Sequence, residues 1–352
     1  MKTTGNYHLK KPDYEDGADI QILNENTEAI DTELKKAEDH RADATNPHKV
    51  TAAQVGASNP NLLINGDFRV NQRGMEQYEY GYGFDRWANI FTNTNLISQV
   101  TRGLYNGIGG KYFIHLAILS VSKPDGNNFA QCMENSANGM SELAGQTVTF
   151  SVNANTSSNC SYRSVYIGYK ESPSVSVMTY KTTGIPANSG GKFSVTATLP
   201  LTACRVECGI GVTKEITPSD VNSYIDFWNA KLELGSVATP FSPRPYAEEL
   251  ALCQRYFEVL GPASGFGVGD TNANVTLFFP FKVRKRIGPS ISLTTDRTNL
   301  LSMLGMTQMT PNNLIQSNTD KDGVCIIAHG NAVSTMPYTP MKYMASADAE
   351  IY

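Results

Sequence analysis

The chain has no long apolar segment. No hydrophobic run comes near the roughly 18 residues that a membrane-spanning helix requires. The opening "MKTTGNYHLKK" also has no apolar stretch of the kind that defines a signal peptide. These two absences predict a protein that is made in a cytosol and does not insert into a membrane.

Charge and cysteine are scarce as well. Charged residues make up 18% of the 352 residues and the net charge is −4, so no basic field attracts nucleic acid. Six cysteines are too few for a disulfide scaffold. Cys204 and Cys208 share one face of the predicted strand "TACRVECGIGV", where the rise of a strand separates their sulfurs by roughly 13 Å. That distance exceeds disulfide reach, so we predict buried, unpaired thiols.

Motifs that carry catalysis are missing too. The sequence has no G-x-S-x-G elbow, no local Cys–His pairing and no pair of carboxylates that stands out. His115 shares its parity in "KYFIHLAIL" with Phe113 and Ala117, which favours a histidine packed in the core over a general base. We therefore predict no enzyme activity, no catalytic residues and no cofactor. A carboxylate pair assembled from distant parts of the chain remains an open alternative.

Two short segments with glycine and aspartate fit turns better than ligand loops. "GFGVGD" (265–270) lacks the further glycine and the helix of a phosphate loop, so it predicts a glycine-rich turn. "NTDKDG" (318–323) has His329 where a calcium loop needs Glu, so it predicts a hairpin turn. Local sequence thus predicts no metal site, although a calcium ion held by ligands distant in sequence stays open.

Alternating apolar residues and turn-forming polar residues dominate the middle of the chain. Val148, Phe150 and Val152 alternate with polar residues, and clusters such as "KPDGNN" separate the strands. The other alternating series are Phe193, Val195, Ala197 and Leu199; Cys204 to Val212; and Trp228, Ala230, Leu232 and Leu234. This pattern predicts a mainly β protein with a β-sandwich over residues 61–245.

A proline-rich step follows the predicted sandwich. Pro240, Pro243 and Pro245 cannot continue a strand ladder. After them come a short helix and the strand-like runs "NVTLFFPFKVR", "SISLTT" and "GVCIIAHG". We expect a second, smaller β domain over residues 246–352, with the prolines as a joint between two independently folded units.

The N-terminal segment predicts an amphipathic helix. Asp16 or Asp19 can cap a helix that runs toward Asp39. Apolar or small residues recur at spacings of three and four, which forms a heptad seam: Ile20, Leu23, Thr27, Ile30, Leu34 and Ala37. A helix packed on its own domain is the alternative, but we favour self-association because no apolar surface lies nearby in sequence to receive the helix. Residues 40–60, which follow, read as a polar, extended connector. Isoleucine at both seam positions indicates more than two strands.

Two clusters are candidates for ligand binding. Tyr78, Tyr80 and Tyr82 recur at period two, so their rings could form a platform for the C–H faces of sugars. The alternative is that these rings edge the core. The basic run "KVRKR" could meet an anionic, phosphate-bearing glycan or could be a solvated strand end. Its charged residues are Lys282, Arg284, Lys285 and Arg286.

Several longer segments resemble one class of proteins. "NLLINGDFRVNQRG" (61–74), "GFDRW" (83–87) and "AKLELGSVATPFSPRPYAEELALCQRYF" (230–257) resemble tail-fibre, or receptor-binding, proteins of bacteriophages, prophages and phage-tail-like bacteriocins. "NPHKVTAAQVGA" (46–57) is similar to a segment of their fibre repeats. "LKKPDYEDGADIQILNENTEAIDTELKK" (9–36) is similar to the fibre start in Gram-positive phage-like tails.

The resemblance implies a function and an organisation. It implies a homotrimer whose residues 1–39 form a coiled coil and attach to a tail baseplate protein, followed by a fibre-repeat-like connector over 40–60. Residues 61–245 would be a carbohydrate-binding jelly-roll, in which "NGDF" and "LELG" are fold-defining strands, and 246–352 would be the tip. The protein would recognise a bacterial surface glycan. It would belong to a virion or phage-tail-like particle that is assembled in the bacterial cytoplasm and released by lysis.

Two competing functions remain within this resemblance. A tailspike-like enzyme would cut a surface polysaccharide and would need a carboxylate pair, which could be built across chains. A purely structural baseplate component would ignore cells when isolated.

Overall fold

The computed structural model describes residues 2–12, 15–17, 19–43, 58–91, 95–105, 111–136, 139–260, 265–268, 274–293, 300–302, 308–309, 313–329, 337–340 and 345–351. The chain divides into two compact units, Met1–Ala57 and Ser58–Tyr352. None of the described helices is both long and apolar enough to cross a membrane. The predicted extended connector lies largely outside the described residues.

The first unit is a small hairpin beside one helix. Its antiparallel strands are β1 (Lys2–Thr3) and β2 (Lys10–Lys11), and its helix is α1 (Ile20–Ala42). The side chain of Asp19 accepts a hydrogen bond of 2.9 Å from the backbone of Gln21, as expected of an N-cap. Lys10 forms an ion pair with Glu25. The helix extends three residues beyond the predicted boundary at 39.

The predicted heptad seam lies on the surface of α1. The structure describes all 23 residues of this helix, and none of them is buried. Ile20, Leu23 and Leu34 are each at least 60% exposed. The seam is therefore apolar and uncovered in the single chain, and the trimeric coiled coil stays a prediction.

The first half of the second unit is a β-sandwich, as predicted. Its strands are β3 (Gln77–Tyr78), β4 (Gly81–Phe84), β5 (Trp87–Phe91), β6 (Leu96–Tyr105), β7 (Lys111–Val121), β8 (Asn127–Cys132), β9 (Thr147–Thr156), β10 (Arg163–Lys170), β11 (Thr179–Gly184), β12 (Gly190–Thr198), β13 (Cys204–Val212) and β14 (Tyr224–Leu234). Sheet I has the order β11-β10-β13-β8-β5-β4, and sheet II has the order β12-β9-β14-β7-β6-β3. Neighbouring strands in both sheets are antiparallel.

The core lies between the two sheets and is rich in aromatic rings. The predicted inward residues Val148, Phe150 and Val152 are buried. Trp87 stacks on Phe129 with ring centroids 5.4 Å apart, and its indole nitrogen donates a 3.0 Å hydrogen bond to the Asn65 carbonyl. The prediction of a strand at "NGDF" was wrong: these residues form a turn. Their fold-defining role comes from the turn, which delivers Phe68 into the core.

A β-bulge changes the inward face of β14. The register of β14 against β9 shifts between Trp228 and Lys231, and Asn229 has a φ of 56°. The buried apolar residues of β14 are Ile225, Phe227, Ala230 and Leu232. Trp228 therefore points to the outer face, and Leu234 is exposed, contrary to the predicted alternation of both with Ala230.

Among the described residues, the rest of the second unit forms one helix and two further sheets. Its elements are α2 (Tyr246–Gln254), β15 (Phe257–Leu260), β16 (Gly265–Val268), β17 (Asn274–Pro280), β18 (Ser290–Leu293), β19 (Leu300–Ser302), β20 (Gln308–Met309), β21 (Asn313–Thr319), β22 (Gly323–His329), β23 (Pro337–Pro340) and β24 (Ala345–Asp348). The sheet orders are β15-β24-β18 and β20-β19-β23-β16-β17-β22-β21. The hairpin turn predicted at "DKDG" joins β21 to β22 and is confirmed. The turn predicted at "GFGVGD" was wrong for residues 265–268, which form β16, and residues 269–270 lie outside the described residues.

The proline-rich segment is a strap across the sandwich, which corrects the prediction of a joint between two units. Ser58–Tyr352 is one compact unit without a division at 245. Under the strap, Lys231 and Glu233 form a buried ion pair of 3.2 Å, and Lys231 donates to the Pro240 carbonyl at 2.9 Å. Arg244 donates to the Leu63 carbonyl at 2.8 Å. These polar contacts bury Lys231 and Glu233 and fix the strap in place.

The cysteines behave as predicted. All six are unpaired, and Cys204 and Cys208 are buried. Burial raises the pKa of Cys208 well above its usual range, so this thiol is unreactive at neutral pH.

Candidate functional site

The three predicted platform tyrosines have three different environments. Tyr78 is buried against Phe84, with ring centroids 5.0 Å apart, so its assignment to a ligand platform is corrected to a core role. Tyr80 is 68% exposed. Tyr82 is half-buried and donates its hydroxyl hydrogen bond to the Ile351 carbonyl. Only Tyr80 and Tyr82 can therefore meet a ligand.

The predicted basic cluster is also divided. Lys285 is buried and forms a 2.6 Å ion pair with Glu258, and its burial lowers the pKa of its amine. Arg286 donates hydrogen bonds of 3.1 Å to the carbonyls of Ala349 and Glu350. Both are structural, which corrects their assignment as ligand residues. Lys282 and Arg284 are exposed, and two side chains alone do not make an anionic-polymer site.

A groove on the outer face of sheet I brings Tyr80 and Tyr82 together with polar residues that the predictions missed. We call it the β4–β13 groove. It has a volume of about 190 Å³ and is lined by Tyr80, Gly81, Tyr82, Ala88, Ile90, Ala130, Cys132, Arg205, Glu207 and Ile351. Trp87 and Phe129 face the core, so strand alternation turns Ala88 and Ala130 outward. Ala88 and Ala130 are cross-strand partners on β5 and β8, so their two small side chains lie side by side and form the floor of the groove.

Glu207 is the acidic group of this groove. It lies on β13 and is only 6% exposed. The hydroxyl of Tyr166 donates to its Oε1 at 3.2 Å. Burial raises the pKa of Glu207, although Arg205 and Tyr166 oppose the shift. The carboxyl group is thus oriented by a neighbour and withdrawn from bulk water.

Arg205 is the basic group and is held in a strained position. Its φ is 43°, in the left-handed region that few residues other than glycine adopt. It lies where the register of β13 against β10 shifts, next to the pairing of Tyr169 with Val206. Such bulges re-aim side chains and are common beside binding sites. The Nε atom of Arg205 lies 3.8 Å from Glu207 Oε2 and has no hydrogen-bond partner in the described part of the chain.

A glycine allows the strands beneath the groove to approach closely. Gly209 lies two residues after Glu207, on the same face of β13. A Cβ atom there would lie 2.0 Å from the carbonyl oxygen of Phe129 on β8. Any larger residue would push β13 away from β8 and widen the floor.

Arg205 and Glu207 were within reach of sequence reasoning. The alternation that placed Cys204, Val206 and Cys208 on one face of β13 also places Arg205 and Glu207 together on the other. The sequence could not indicate that Tyr80 and Tyr82, more than 120 residues earlier, lie at or beside β4, which only two strands separate from β13 in the sheet.

His115 is not a core residue, contrary to the prediction. Ile114 and Leu116 face the core, so His115 lies on the outer face of sheet II, where it is half-buried. Its Nδ1 lies 2.6 Å from Asp226 Oδ1. Among the described residues, no group of three or more His, Cys, Asp or Glu side chains could hold a metal ion.

Comparisons with known proteins give distant structural likenesses. No family model and no curated protein matches the chain. An enzymatically active domain of tailspike protein 4 from bacteriophage CBA120 aligns at 16% identity and TM-score 0.34, over 50% of this chain and 21% of that one. A xylanase fragment with carbohydrate-binding and catalytic modules from Clostridium thermocellum aligns at 15% identity and TM-score 0.34, over 51% and 29%. A xylan-binding domain from Paenibacillus barcinonensis aligns at 8% identity and TM-score 0.32, over 51% and 98%. All three TM-scores are below 0.5, so these likenesses carry no argument about function.

Proposed function

We propose that the β4–β13 groove binds a neutral sugar residue of a bacterial surface glycan, and that the chain acts as a receptor-binding tail fibre. The observation that carries the proposal is the pairing of Arg205 with Glu207 in a groove edged by Tyr80. A guanidinium offers only donors and a carboxylate offers mainly acceptors. Together they can engage neighbouring hydroxyl groups, each of which donates and accepts.

The aromatic edge supports the same ligand class. The apolar C–H face of a sugar packs on an aromatic ring, and Tyr80 presents such a ring to solvent. Arg205 and Glu207 carry opposite charges side by side. This arrangement favours a neutral sugar over a strongly anionic one, because a second negative charge would lie next to Glu207.

The oligomer and the particle belong to the proposal as well. The exposed seam of α1 supports a homotrimer, in which the N-terminal segment docks on a baseplate protein. A single site of millimolar strength corresponds to only about −4 kcal/mol. Three linked copies raise the effective concentration, and avidity can then add a factor of roughly 10² to 10⁴. We place such a fibre on a virion or a phage-tail-like particle.

We propose binding without cleavage. Canonical glycosidases use two carboxyl groups about 5 to 10 Å apart. Glu207 is the only carboxylate among the described residues that line the groove. A tailspike-like enzyme would release reducing sugar from host envelopes, and we expect no such release.

Binding to cells tests the proposal. Labelled protein is incubated with a panel of intact bacteria, with stripped cell-wall glycan as competitor. We expect strain-selective binding that the glycan abolishes. No binding to any strain, with the oligomer intact, would favour a structural baseplate component instead.

A matched pair of glycine variants sharpens the test. Arg205→Gly removes the guanidinium while relieving the strained backbone, since glycine adopts positive φ readily. For strains that the wild-type protein binds, we expect the affinity of this variant to be about tenfold lower or more, as for loss of a charged hydrogen bond. Asn222→Gly is the control, because Asn222 also has a positive φ (66°) and is exposed outside the groove. Equal binding by the two variants would contradict the proposed site.

A further inference from the structure

We infer that the outer face of sheet II is a second glycan-binding site, separate from the β4–β13 groove. A row of side chains crosses this face at the level of Asp226. In the register of the sheet, Asp226 pairs with His115 on β7 and with Asn155 on β9, and His115 pairs with Thr101 on β6. The row thus places four polar groups side by side on four adjacent strands.

The carboxylate in this row is held in one orientation. The 2.6 Å contact between His115 Nδ1 and Asp226 Oδ1 uses one carboxylate oxygen. Both side chains are still about one-third exposed, at 35% for His115 and 27% for Asp226. A carboxylate has about four acceptor positions, so Asp226 keeps capacity for hydroxyl groups of a ligand. Asn155, exposed on the neighbouring strand, adds an amide donor and an amide acceptor.

Aromatic rings lie on both sides of the carboxylate along β14. Tyr224 precedes Asp226 by two residues and Trp228 follows it by two, so all three side chains share the outer face. Tyr224 also packs on the ring of His115, with centroids 5.0 Å apart. At about 3.3 Å per residue, the Tyr224 and Trp228 positions lie roughly 13 Å apart. That span suits an oligosaccharide segment rather than a single sugar.

Strand alternation from Tyr224 and Asp226 already places Trp228 on this outer face. The bulge lies just beyond it, between Trp228 and Lys231, and turns Ala230 and Leu232 inward. Bulges are common next to functional sites. Two flanking rings with a positioned carboxylate and an amide between them are the groups that recognise a neutral polyhydroxylated chain.

The two sites would be on opposite sides of the sandwich. The groove lies on the outer face of sheet I, and the second site lies on the outer face of sheet II, with the core between them. One chain could then hold two glycan segments at once. The second site uses none of the groove residues, so it can be tested independently of the groove.

Calorimetric titration of the full chain tests this inference. The probes are neutral tetrasaccharides built from glucose, galactose, xylose or N-acetylglucosamine, each at millimolar concentration. We expect the Arg205→Gly chain, with its groove disabled, still to bind one probe molecule per chain. Adding Asp226→Asn should weaken that remaining binding about tenfold or more, and Tyr224→Ser should do the same by removing a stacking ring. Asp322→Asn, at an exposed aspartate in the β21–β22 turn, is the matched control and should change nothing.

Three results would overturn the inference. One is that the Arg205→Gly chain binds no probe. Another is that Asp226→Asn and Tyr224→Ser, both shown to be folded by thermal melting, bind as tightly as the Asp322→Asn control. The last is that Tyr224→Ser lowers the native mass, which would make this face a contact between copies of the chain.

Discussion

At the scale of single residues, Glu207 has an environment in which ionisation is unfavourable. It is buried on β13, and its burial raises its pKa above the ordinary value of 4.5. A carboxyl whose pKa is higher in the folded state binds more protons folded than unfolded over that interval. The free energy of unfolding therefore falls as pH rises from the unfolded pKa through the folded pKa.

The variant Glu207→Gln tests this linkage. Glutamine stays neutral at every pH, so the variant lacks the penalty for a buried charge at neutral pH. We expect its melting temperature to exceed that of the wild type by the largest margin at neutral pH. The margin should shrink as pH falls toward 4.5, where the wild-type carboxyl becomes protonated. The exposed Glu215→Gln is the control, and a margin for Glu207→Gln that does not change with pH would contradict the argument.

Residue type alone does not show which charged side chains of the "KVRKR" run are exposed and which are buried. Sequence reasoning grouped Lys285 and Arg286 with Lys282 and Arg284, because the four lie in one basic run. The partners that bury the first two come from elsewhere: Glu258 lies 27 residues before Lys285, and the carbonyl of Ala349 lies 63 residues after Arg286. Alternation within a strand is a local property and was predictable, whereas these pairings are set by the tertiary fold.

At the scale of elements, β24 is the central strand of a three-stranded sheet, and an ion pair next to it connects it to the sandwich. It pairs with β15 on one side and β18 on the other. Beyond it, Glu350 forms a buried ion pair with Arg86 of the "GFDRW" segment. The guanidinium carbon of Arg86 also lies 3.7 Å from the centroid of the Tyr256 ring. Through Arg86, the "GFDRW" segment therefore holds β24 and the residues that follow it against the sandwich.

Removing one partner of the Arg86–Glu350 ion pair should lower the stability of the fold substantially. Glu350→Gln leaves the buried guanidinium of Arg86 without its counter-charge, and the free energy of unfolding should fall by about 3 to 5 kcal/mol. Urea titration followed by tryptophan fluorescence measures the change, since Trp87 adjoins Arg86. The double variant Arg86→Met, Glu350→Leu removes both charges and should recover much of the loss. A single-variant loss below 1 kcal/mol would show that the pair is solvated.

Element boundaries illustrate where sequence patterns fail. The sandwich strand at 148–152 follows strict alternation, and its inward residues were predicted correctly. The strand at 204–212 was also predicted, although its register against β10 shifts at Arg205. The strand at 224–234 contains a bulge, which no periodic pattern reveals, so its inward residues were assigned wrongly. The strand β14 ends at Leu234, before the first of the prolines at 240–245, and the proline segment forms a strap that covers Lys231 and Glu233. Proline residues exclude strand pairing, but they do not indicate whether the chain after them packs on the same domain or begins a new one.

At the scale of the whole molecule, the exposed seam of α1 predicts association. Isolated helices of this kind gain most of their stability from packing an apolar face. Ile30, in the middle of the seam, is 46% exposed in the single chain. Covering the seam by two further copies would remove that apolar surface from water.

The variant Ile30→Asp tests the association. An aspartate at this position would place a charge in the centre of the proposed three-helix contact, so we expect the native mass to fall from three chains to one. Sedimentation equilibrium measures the mass. Asn24→Asp is the matched control, since it adds the same side chain to α1 outside the seam and should leave the trimer intact. An unchanged mass for Ile30→Asp would count against the coiled coil.

The central position of β24 also has a consequence for synthesis. The ribosome makes β24 after both of its neighbours, and it makes Glu350 264 residues after Arg86. Until that point, β15 and β18 each present an unpaired edge, and a cationic side chain in the emerging sandwich has no counter-ion. Contacts of such high sequence separation form slowly, and unpaired edges favour aggregation. We therefore expect chains truncated before residue 345 to accumulate in inclusion bodies, even though every strand of the sandwich has already been translated.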